Sequence, residues 1–192
     1  MDMRSGKGDK GFTDLPFRKR ISKDSADIRV LGELDELNGY LGLIKSLIKN
    51  RKDKAVIERI QNLLGCAASE IAVGTEKKRK LGLLLKQEDS DWAACLIYEM
   101  EQTVKKENNF SLPGQNPISA FMDIARSVAR RADRAVVGLF KKEHIRNDNI
   151  LTFMNCISDI LFLFARKYSG KRQKNKAKKK NALKQSSGKA SK

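Results

Sequence analysis

The sequence predicts an all-α protein, a five-helix bundle, on three observations. Apolar residues recur at steps of three and four along five separate segments, the spacing that lines one face of a helix. Only three prolines occur, and none interrupts a periodic segment. No two apolar runs joined by a tight turn suggest a hairpin. With 192 residues and 40% hydrophobic residues, the chain can bury one sizeable core but is too short for two large lobes.

The periodic segments set the order of the helices. They cover residues 28–48, 55–73, 90–106, 117–139 and 149–168. The fourth has the clearest start, because Asn116 followed by Pro117 is a typical N-cap with proline at the first helical position. The helices together form one domain over residues 28–169.

Two segments lie outside this domain. Residues 1–27 are polar and rich in glycine without helical periodicity, and we predict an ordered loop. Residues 170–192 carry ten of the net +17 charges, with one leucine and no aromatic residue. Such a segment cannot bury enough apolar surface to order itself, so we predict a disordered lysine-rich tail.

Cysteine and histidine usage excludes several classes of chemistry. Cys66, Cys95 and Cys156 are odd in number and widely spaced, which is not typical of a disulfide framework or a metal knuckle and favours the reducing cytoplasm. The single histidine, His144, argues against a zinc site or a histidine-based triad. Neither a signal peptide nor an uncharged stretch of membrane-spanning length is apparent, so we expect no membrane insertion.

The N-terminal segment has the composition of an anion-binding loop. Residues 5–13 read SGKGDKGFT, and Lys23 follows downstream. Glycines allow backbone amides to approach an anion closely, while hydroxyls and lysines add donors and positive charge, so the loop could hold a polyphosphate. The glycine spacing is not that of a P-loop. The alternative is a flexible, solvated terminus.

The fourth helix carries an arginine-rich face. Arg126, Arg130, Asp133 and Arg134 follow a spacing that places them on one side of the helix, whereas Arg131 points elsewhere. Guanidinium groups arranged in this way suit a phosphate. The alternative is a solvated charged face with internal ion pairs.

Two further features leave alternatives open. Asp35 and Asn38 flank the apolar stripe of the first helix, either as an ordinary polar boundary or as interfacial groups that need a cation, for which Arg126 is a candidate. Residues 110–114, FSLPG, form an apolar loop directly before the Asn116 cap. That loop either borders an apolar ligand pocket or only fixes the entry of the chain into the helix.

In this order, the segments resemble the ATP:cob(I)alamin adenosyltransferases of the propanediol-utilisation type. The matching segments are SGKGDKGFT at 5–13, SKD at 22–24, GELDELN at 32–38, FSLPG at 110–114, ARSVARRADR at 125–134 and NCISDILF at 155–162. The resemblance spans nearly the whole chain up to Ser169. It implies a five-helix bundle that assembles as a homotrimer, with ATP between neighbouring subunits and cobalamin close by.

The resemblance also implies roles for individual residues. Those implied to bind ATP are Ser5, Gly6, Lys7, Gly8, Thr13, Lys23, Arg130, Arg131, Asp133, Arg134 and Asn155. Asp133 would help position Mg²⁺. Asp35 and Arg126 would pair across subunits beside the corrin, and Phe110 would occupy the lower face of cobalt. In the implied reaction, Co(I) attacks the 5′-carbon of ATP and expels triphosphate, so no protein nucleophile is required.

Several positions depart from the family pattern. Lys7 replaces a threonine, Gln115 a glycine, Asp133 a glutamate and Cys156 an arginine, and FRKR at 17–20 replaces a glycine-containing turn. Lys7 and Cys156 motivate an alternative, a non-catalytic relative that binds ATP or adenosylcobalamin as a sensor or carrier. The tail suggests a further, accessory property, non-specific contact with a polyanion.

Overall fold

The computed structural model describes residues 6, 8–74, 79–80, 82, 84–104, 112–142 and 145–187, with side chains as far as Ser169. Its elements are β1 (Phe12–Leu15), β2 (Arg18–Ser22), α1 (Ala26–Leu47), α2 (Arg51–Val73), α3 (Gln87–Thr103), α4 (Pro117–Lys141) and α5 (Asp148–Ser187). Within the described residues, five long helices form the body of the protein, which confirms the predicted all-α bundle.

Polar side chains fix the starts of three helices. Side-chain oxygens of Ser25, Asn50 and Asn116 accept a hydrogen bond from the backbone N–H three residues further on, at 3.4, 3.1 and 3.1 Å. Asn116 and Pro117 begin α4 as predicted. The cap at Asn50 starts α2 four residues before the predicted boundary, because the first turn of α2 is polar and shows no apolar periodicity.

The core lies between α1, α2, α4 and α5, with α3 packed against α5. Fully buried side chains of the predicted apolar faces fill it, namely Leu34, Leu37, Leu41, Ile44, Ile60, Leu64, Phe153 and Phe164, together with Ile57, which was not predicted to face the core. Each such side chain stabilises the fold by about 1.5–3 kcal/mol relative to an exposed position. Burial along the predicted faces therefore accounts for the arrangement of the helices.

Polar contacts hold α3, and the segments that precede α3 and α5, against α2. The Arg59 guanidinium of α2 lies 4.1 Å from the centre of the Trp92 ring of α3. Glu70, fully buried on α2, accepts hydrogen bonds from the Leu85 N–H at 3.4 Å and from Asn147 Nδ2 at 3.0 Å. These contacts join α2 to the segments that precede α3 and α5.

The prediction that residues 1–27 contain no hairpin was wrong. Strands β1 and β2 pair antiparallel, with a register irregularity between Thr13 and Leu15. The turn residue Phe17 and the β2 residue Arg20 adopt left-handed backbone conformations, with φ of 64° and 60°. The hairpin lacked a sequence signal, because its turn has no Asn-Gly or Gly-Gly pair and β2 is mostly cationic.

The backbone of α5 continues to Ser187, beyond the predicted helix end at Tyr168. Lysine, arginine, alanine and glutamine favour helix, which accounts for the longer span. The side chains of residues 170–192 lie outside the described part of the chain, and the disordered tail stays a prediction there. By length and composition α5 could cross a membrane over Asp148–Ser169, but 61% of that stretch is buried inside the bundle, as in the core helix of a globular domain.

Candidate functional site

The glycine-rich segment before β1 forms two consecutive turns. The Asp9 N–H donates to the Gly6 carbonyl at 3.2 Å, and the Gly11 N–H donates to the Gly8 carbonyl at 3.3 Å. Gly6 and Gly11 have φ of 65° and 78°, conformations that glycine adopts without strain. Turns of this kind are among the backbone conformations that form anion-binding concavities.

Lys23 lies against this segment. Its backbone N–H donates to the Gly11 carbonyl at 2.9 Å. Its ammonium group packs on Gly8 so closely that a methyl carbon added there would lie 3.0 Å from Nζ. Thr13, half-buried in β1, pairs with Ile21 of β2. The structure therefore brings together a lysine and a glycine-rich segment that are separated by a hairpin in the sequence.

Two arginines of the hairpin have protein partners. The Arg18 guanidinium donates to both carboxylate oxygens of Asp27, each at 3.2 Å, and so ties β2 to the start of α1. The Arg20 guanidinium lies 4.6 Å from the centre of the Phe12 ring. In this protomer both guanidinium groups support the hairpin.

The register of α4 against α5 places Asn155 at the height of the arginine-rich face. Arg166 Nη2 donates to both carboxylate oxygens of Asp123 at 3.3 Å, in a pair that is about nine-tenths buried. The helices are antiparallel neighbours joined by a short connection. Since residues rise equally along both helices, Asn155 lies at about the height of Arg134. Both side chains are exposed.

Asp133 lies between cations on α4. Burial raises the pKa of its carboxyl group, and the nearby charges of Arg130 and Arg134 oppose that increase. Both arginines are exposed, whereas Asp133 is half-buried. The face therefore presents two guanidinium groups to solvent around one carboxyl group, the combination predicted from the spacing.

Arg131 points to α1, away from that face, as its position in the helix predicted. Its guanidinium pairs with Glu33 and Glu36. The hydrogen bond to Glu33 is the main reason that the pKa of Arg131 is raised. In the protomer Arg131 holds α4 against α1, and its implied role toward phosphate stays a prediction.

Arg126 and Asp35 have no ion-pair partner among the described residues. Asp35 is exposed on α1, and the buried Nε of Arg126 makes no hydrogen bond. The interfacial pair implied by the resemblance is thus not made within one protomer. A buried guanidinium nitrogen without an acceptor carries a desolvation cost.

Two buried amides also keep unused acceptors. Gln61 Nε2 donates to the Asn38 carbonyl at 3.2 Å, while Gln61 Oε1 and Asn38 Oδ1 accept no hydrogen bond. No function was predicted for Gln61. A polar residue adjacent to the apolar face of a helix is the signal that could have drawn attention to it.

The apolar loop before α4 is described from Leu112 onward. Gly114 is left-handed with φ of 90°, and Gln115 Nε2 donates to the Leu112 carbonyl at 3.3 Å. Leu112 is 67% exposed, unusual for so large an apolar side chain. Three predicted site residues, Ser5, Lys7 and Phe110, lie outside the described residues.

Metal-binding capacity is limited within the described residues. They contain no group of three or more His, Cys, Asp and Glu side chains placed to hold a metal ion. A Mg²⁺ ion bound with a nucleotide needs only one or two carboxylates, since phosphates and water supply the other ligands. Asp133, beside the two exposed arginines, fits that smaller requirement.

The model of the cobalamin adenosyltransferase family matches residues 3–168. A corrinoid adenosyltransferase of Bacillus subtilis is 31% identical over 170 residues, which cover 86% of each chain. The corrinoid adenosyltransferase MMAB of Bos taurus is 32% identical over 187 residues, covering 92% of this chain and 75% of the relative.

A solved structure agrees with these matches. It is a variant of the PduO-type ATP:corrinoid adenosyltransferase from Lactobacillus reuteri, complexed with cobalamin and ATP. The structures superpose with a TM-score of 0.80 at 30% identity, over 90% of this chain and 96% of the other. Fold, ordered motifs and sequence similarity agree, and the chain belongs to the cobalamin adenosyltransferase family, in its PduO-type branch.

Proposed function

We propose that the protein is a corrinoid adenosyltransferase that moves the 5′-deoxyadenosyl group of ATP to cob(I)alamin. The observation that carries this proposal is the placement of the Lys23 ammonium group against Gly8, in a glycine-rich segment that forms two turns. In the reaction the Co(I) electron pair forms the cobalt–carbon bond. The 5′-carbon–oxygen bond breaks, and its electron pair leaves with triphosphate. Adenosylcobalamin and triphosphate are the products.

The protein's contribution would be position and charge. The glycine turns and Lys23 would hold the triphosphate through backbone N–H groups and an ammonium group, and Arg130 and Arg134 would offset the charge that grows on the leaving group. Asn155 would contact the nucleotide. The full set proposed to bind ATP is Ser5, Gly6, Lys7, Gly8, Thr13, Lys23, Arg130, Arg131, Asp133, Arg134 and Asn155.

Mg²⁺ would accompany ATP as its cofactor, with Asp133 as the protein ligand. When bound, the ion would neutralise phosphate charge. Burial raises the pKa of Asp133, and a cation at this carboxylate would favour its ionised form. Asp133 would thus serve the metal while its arginine neighbours serve the phosphates.

We further propose a homotrimer whose neighbouring subunits complete each site. The hairpin strands pack mainly on each other, and the Arg18–Asp27 pair ties them to α1. A two-stranded hairpin is marginally stable alone, so a neighbouring subunit is a plausible support. Asp35 of one subunit would pair with Arg126 of the next, and Phe110 would lie on the corrin.

Sedimentation equilibrium that gives only a monomer mass would contradict the assembly.

The catalytic proposal is tested with purified protein, ATP, Mg²⁺ and chemically reduced cobalamin. We expect the corrin spectrum to change to that of adenosylcobalamin. Arg130→Ala should abolish ATP binding and the spectral change, whereas Arg51→Ala, an exposed arginine on α2, should leave both intact. A folded protein that gives no spectral change is not an adenosyltransferase.

A second candidate function is a non-catalytic sensor or carrier of ATP or adenosylcobalamin. The observation that favours it is Cys156, which is only 7% exposed and stands where the family pattern has an arginine. Calorimetric binding of nucleotide without turnover would support this alternative. The same turnover assay therefore separates the two functions.

Location and accessory contacts complete the proposal. None of the described cysteines is in a disulfide, which supports the cytoplasm. The lysine-rich segment 170–192 would contact polyanions without sequence preference, because its charge is not interleaved with aromatic residues that could stack on bases.

A further inference from the structure

One group of side chains ties the end of the packed part of α5 to the starts of two other helices. Tyr168 Oη donates to Asp53 Oδ2 at 2.6 Å, and Lys167 Nζ donates to Asp53 Oδ1 at 2.5 Å, which joins α5 to α2. Asn116 Nδ2 donates to the Tyr168 carbonyl at 3.1 Å, which joins α5 to α4. We call Asp53, Asn116, Lys167 and Tyr168 the α5 clasp.

The clasp is well protected from solvent. Asp53 is 4% exposed and Tyr168 is 8% exposed. Burial, and then the hydrogen bond to Asp53, raise the pKa of the Tyr168 phenol, so the hydroxyl remains a donor. A buried carboxylate that accepts one charged and one neutral donor is held firmly, because breaking either bond would leave it undersatisfied.

Asn116 connects the clasp to the loop before α4. Its Oδ1 caps α4 at the Ser119 N–H, while its Nδ2 reaches Tyr168. The neighbouring Gln115 closes the loop onto the Leu112 carbonyl. One amide side chain thus sets both the start of α4 and the place from which the exposed apolar segment 112–114 extends.

We propose that the α5 clasp is a positioning device for corrin binding. It fixes the direction in which segment 112–114 leaves α4, and that segment presents the exposed Leu112 side chain to an apolar face of a corrin. The inference rests on the proposed function for the identity of the ligand. The clasp residues themselves touch no substrate, so they act through the loop.

Two variants test the proposal. Asn116→Ser keeps an N-cap oxygen for α4 but removes the donor to Tyr168, and Tyr168→Phe removes the donor to Asp53 while keeping the ring. The matched control is Asn147→Ser, which breaks buried hydrogen bonds to Glu70 and to the Leu85 carbonyl at the other end of the bundle.

The measurements are ATP affinity by calorimetry, affinity of the ATP-loaded protein for cob(II)alamin by its visible spectrum, and amide hydrogen exchange of residues 112–119. We expect the clasp variants to weaken cob(II)alamin binding about tenfold, the loss typical of one buried hydrogen bond, with ATP affinity within about twofold of wild type. Exchange at residues 112–119 should accelerate in both clasp variants and not in the control.

Unchanged exchange in the clasp variants would overturn the inference. So would a parallel fall in ATP and cob(II)alamin affinity, because a general loss of structure affects both ligands. Wild-type protein that binds ATP but no cob(II)alamin would contradict the proposed function and this inference together, and that result is visible before any variant is compared.

Discussion

Gly8 illustrates how the absence of one methyl group shapes the candidate site. A β-carbon at Gly8 would lie only 3.0 Å from the Lys23 ammonium nitrogen, a tighter contact than most β-carbons make. Gly8 is not left-handed, unlike Gly6 and Gly11, so its requirement for glycine comes from the lysine and not from backbone conformation. A sequence alone cannot distinguish these two reasons for a glycine.

Gly8→Ala should therefore weaken ATP binding about tenfold without destabilising the fold, because the new methyl group displaces only the flexible end of Lys23. Calorimetry would measure the affinity and thermal unfolding the stability. Gly65→Ala, on an exposed and open part of α2, is the control and should leave ATP binding unchanged. Equal ATP affinity in Gly8→Ala and wild type would show that the Lys23 position is unimportant.

Cys156 illustrates the effect of burial on a reactive group. Burial, and then the charge of Asp159, raise the pKa of its thiol. A raised thiol pKa lowers the thiolate fraction at any given pH, and the thiolate is the species that reacts. Cys95 is exposed on α3.

We expect iodoacetamide at pH 8 to alkylate Cys95 well before Cys156 in the folded protein. Peptide mass spectrometry over time would follow both sites. In denaturant the two rates should converge, because unfolding removes the burial that protects Cys156. Similar rates in the native protein would contradict the buried position of this thiol.

At the scale of elements, the hairpin is the feature that was not predicted from the sequence. Its strands carry the glycine turns at one end and are tied to α1 at the other through Arg18 and Asp27. The position of the proposed phosphate-binding turns thus depends on an ion pair between a strand and a helix start.

Arg18→Lys should loosen the hairpin, because an ammonium group cannot make the paired hydrogen bonds of the guanidinium with Asp27. Amide exchange over residues 12–22 should rise several-fold and ATP affinity should fall. The free energy of unfolding should change by less than about 1 kcal/mol, since the Arg18 side chain is 39% exposed. Lys86→Ala, at the exposed pair with Glu88, is the control; equal exchange in Arg18→Lys and wild type would contradict the anchoring role.

The sequence could predict what depends on local patterns. Apolar periodicity predicted α1 to α5, and the Asn116–Pro117 signal predicted the start of α4. Spacing alone predicted that Arg131 would leave the face of Arg130 and Arg134. The hairpin was not predicted because its turn has no Asn-Gly or Gly-Gly pair and β2 is mostly cationic. The contact between Gln61 and Asn38 was not predicted either, because it depends on how two helices pack.

At the scale of the whole molecule, positive charge is concentrated at one end of the sequence. Truncation after Ser169 removes ten of the net +17 charges and keeps the clasp residues. Adenosyl transfer should survive, while retention on heparin should fall sharply, because polyanion affinity depends on the number of cationic contacts. Replacing residues 170–192 with an uncharged linker of equal length controls for chain length. Undiminished heparin retention would place the polyanion contact on the bundle.

The packing of Arg59 on Trp92 also has a practical consequence. Trp92 is the sole tryptophan of the chain and lies between α2 and α3, neither of which carries a residue proposed to bind ATP or corrin. In the absence of corrin, which absorbs tryptophan emission, its intrinsic fluorescence should therefore report the melting of the scaffold largely independently of ATP occupancy. A single natural fluorophore can thus separate variants that unfold from variants that only lose affinity, without any attached dye.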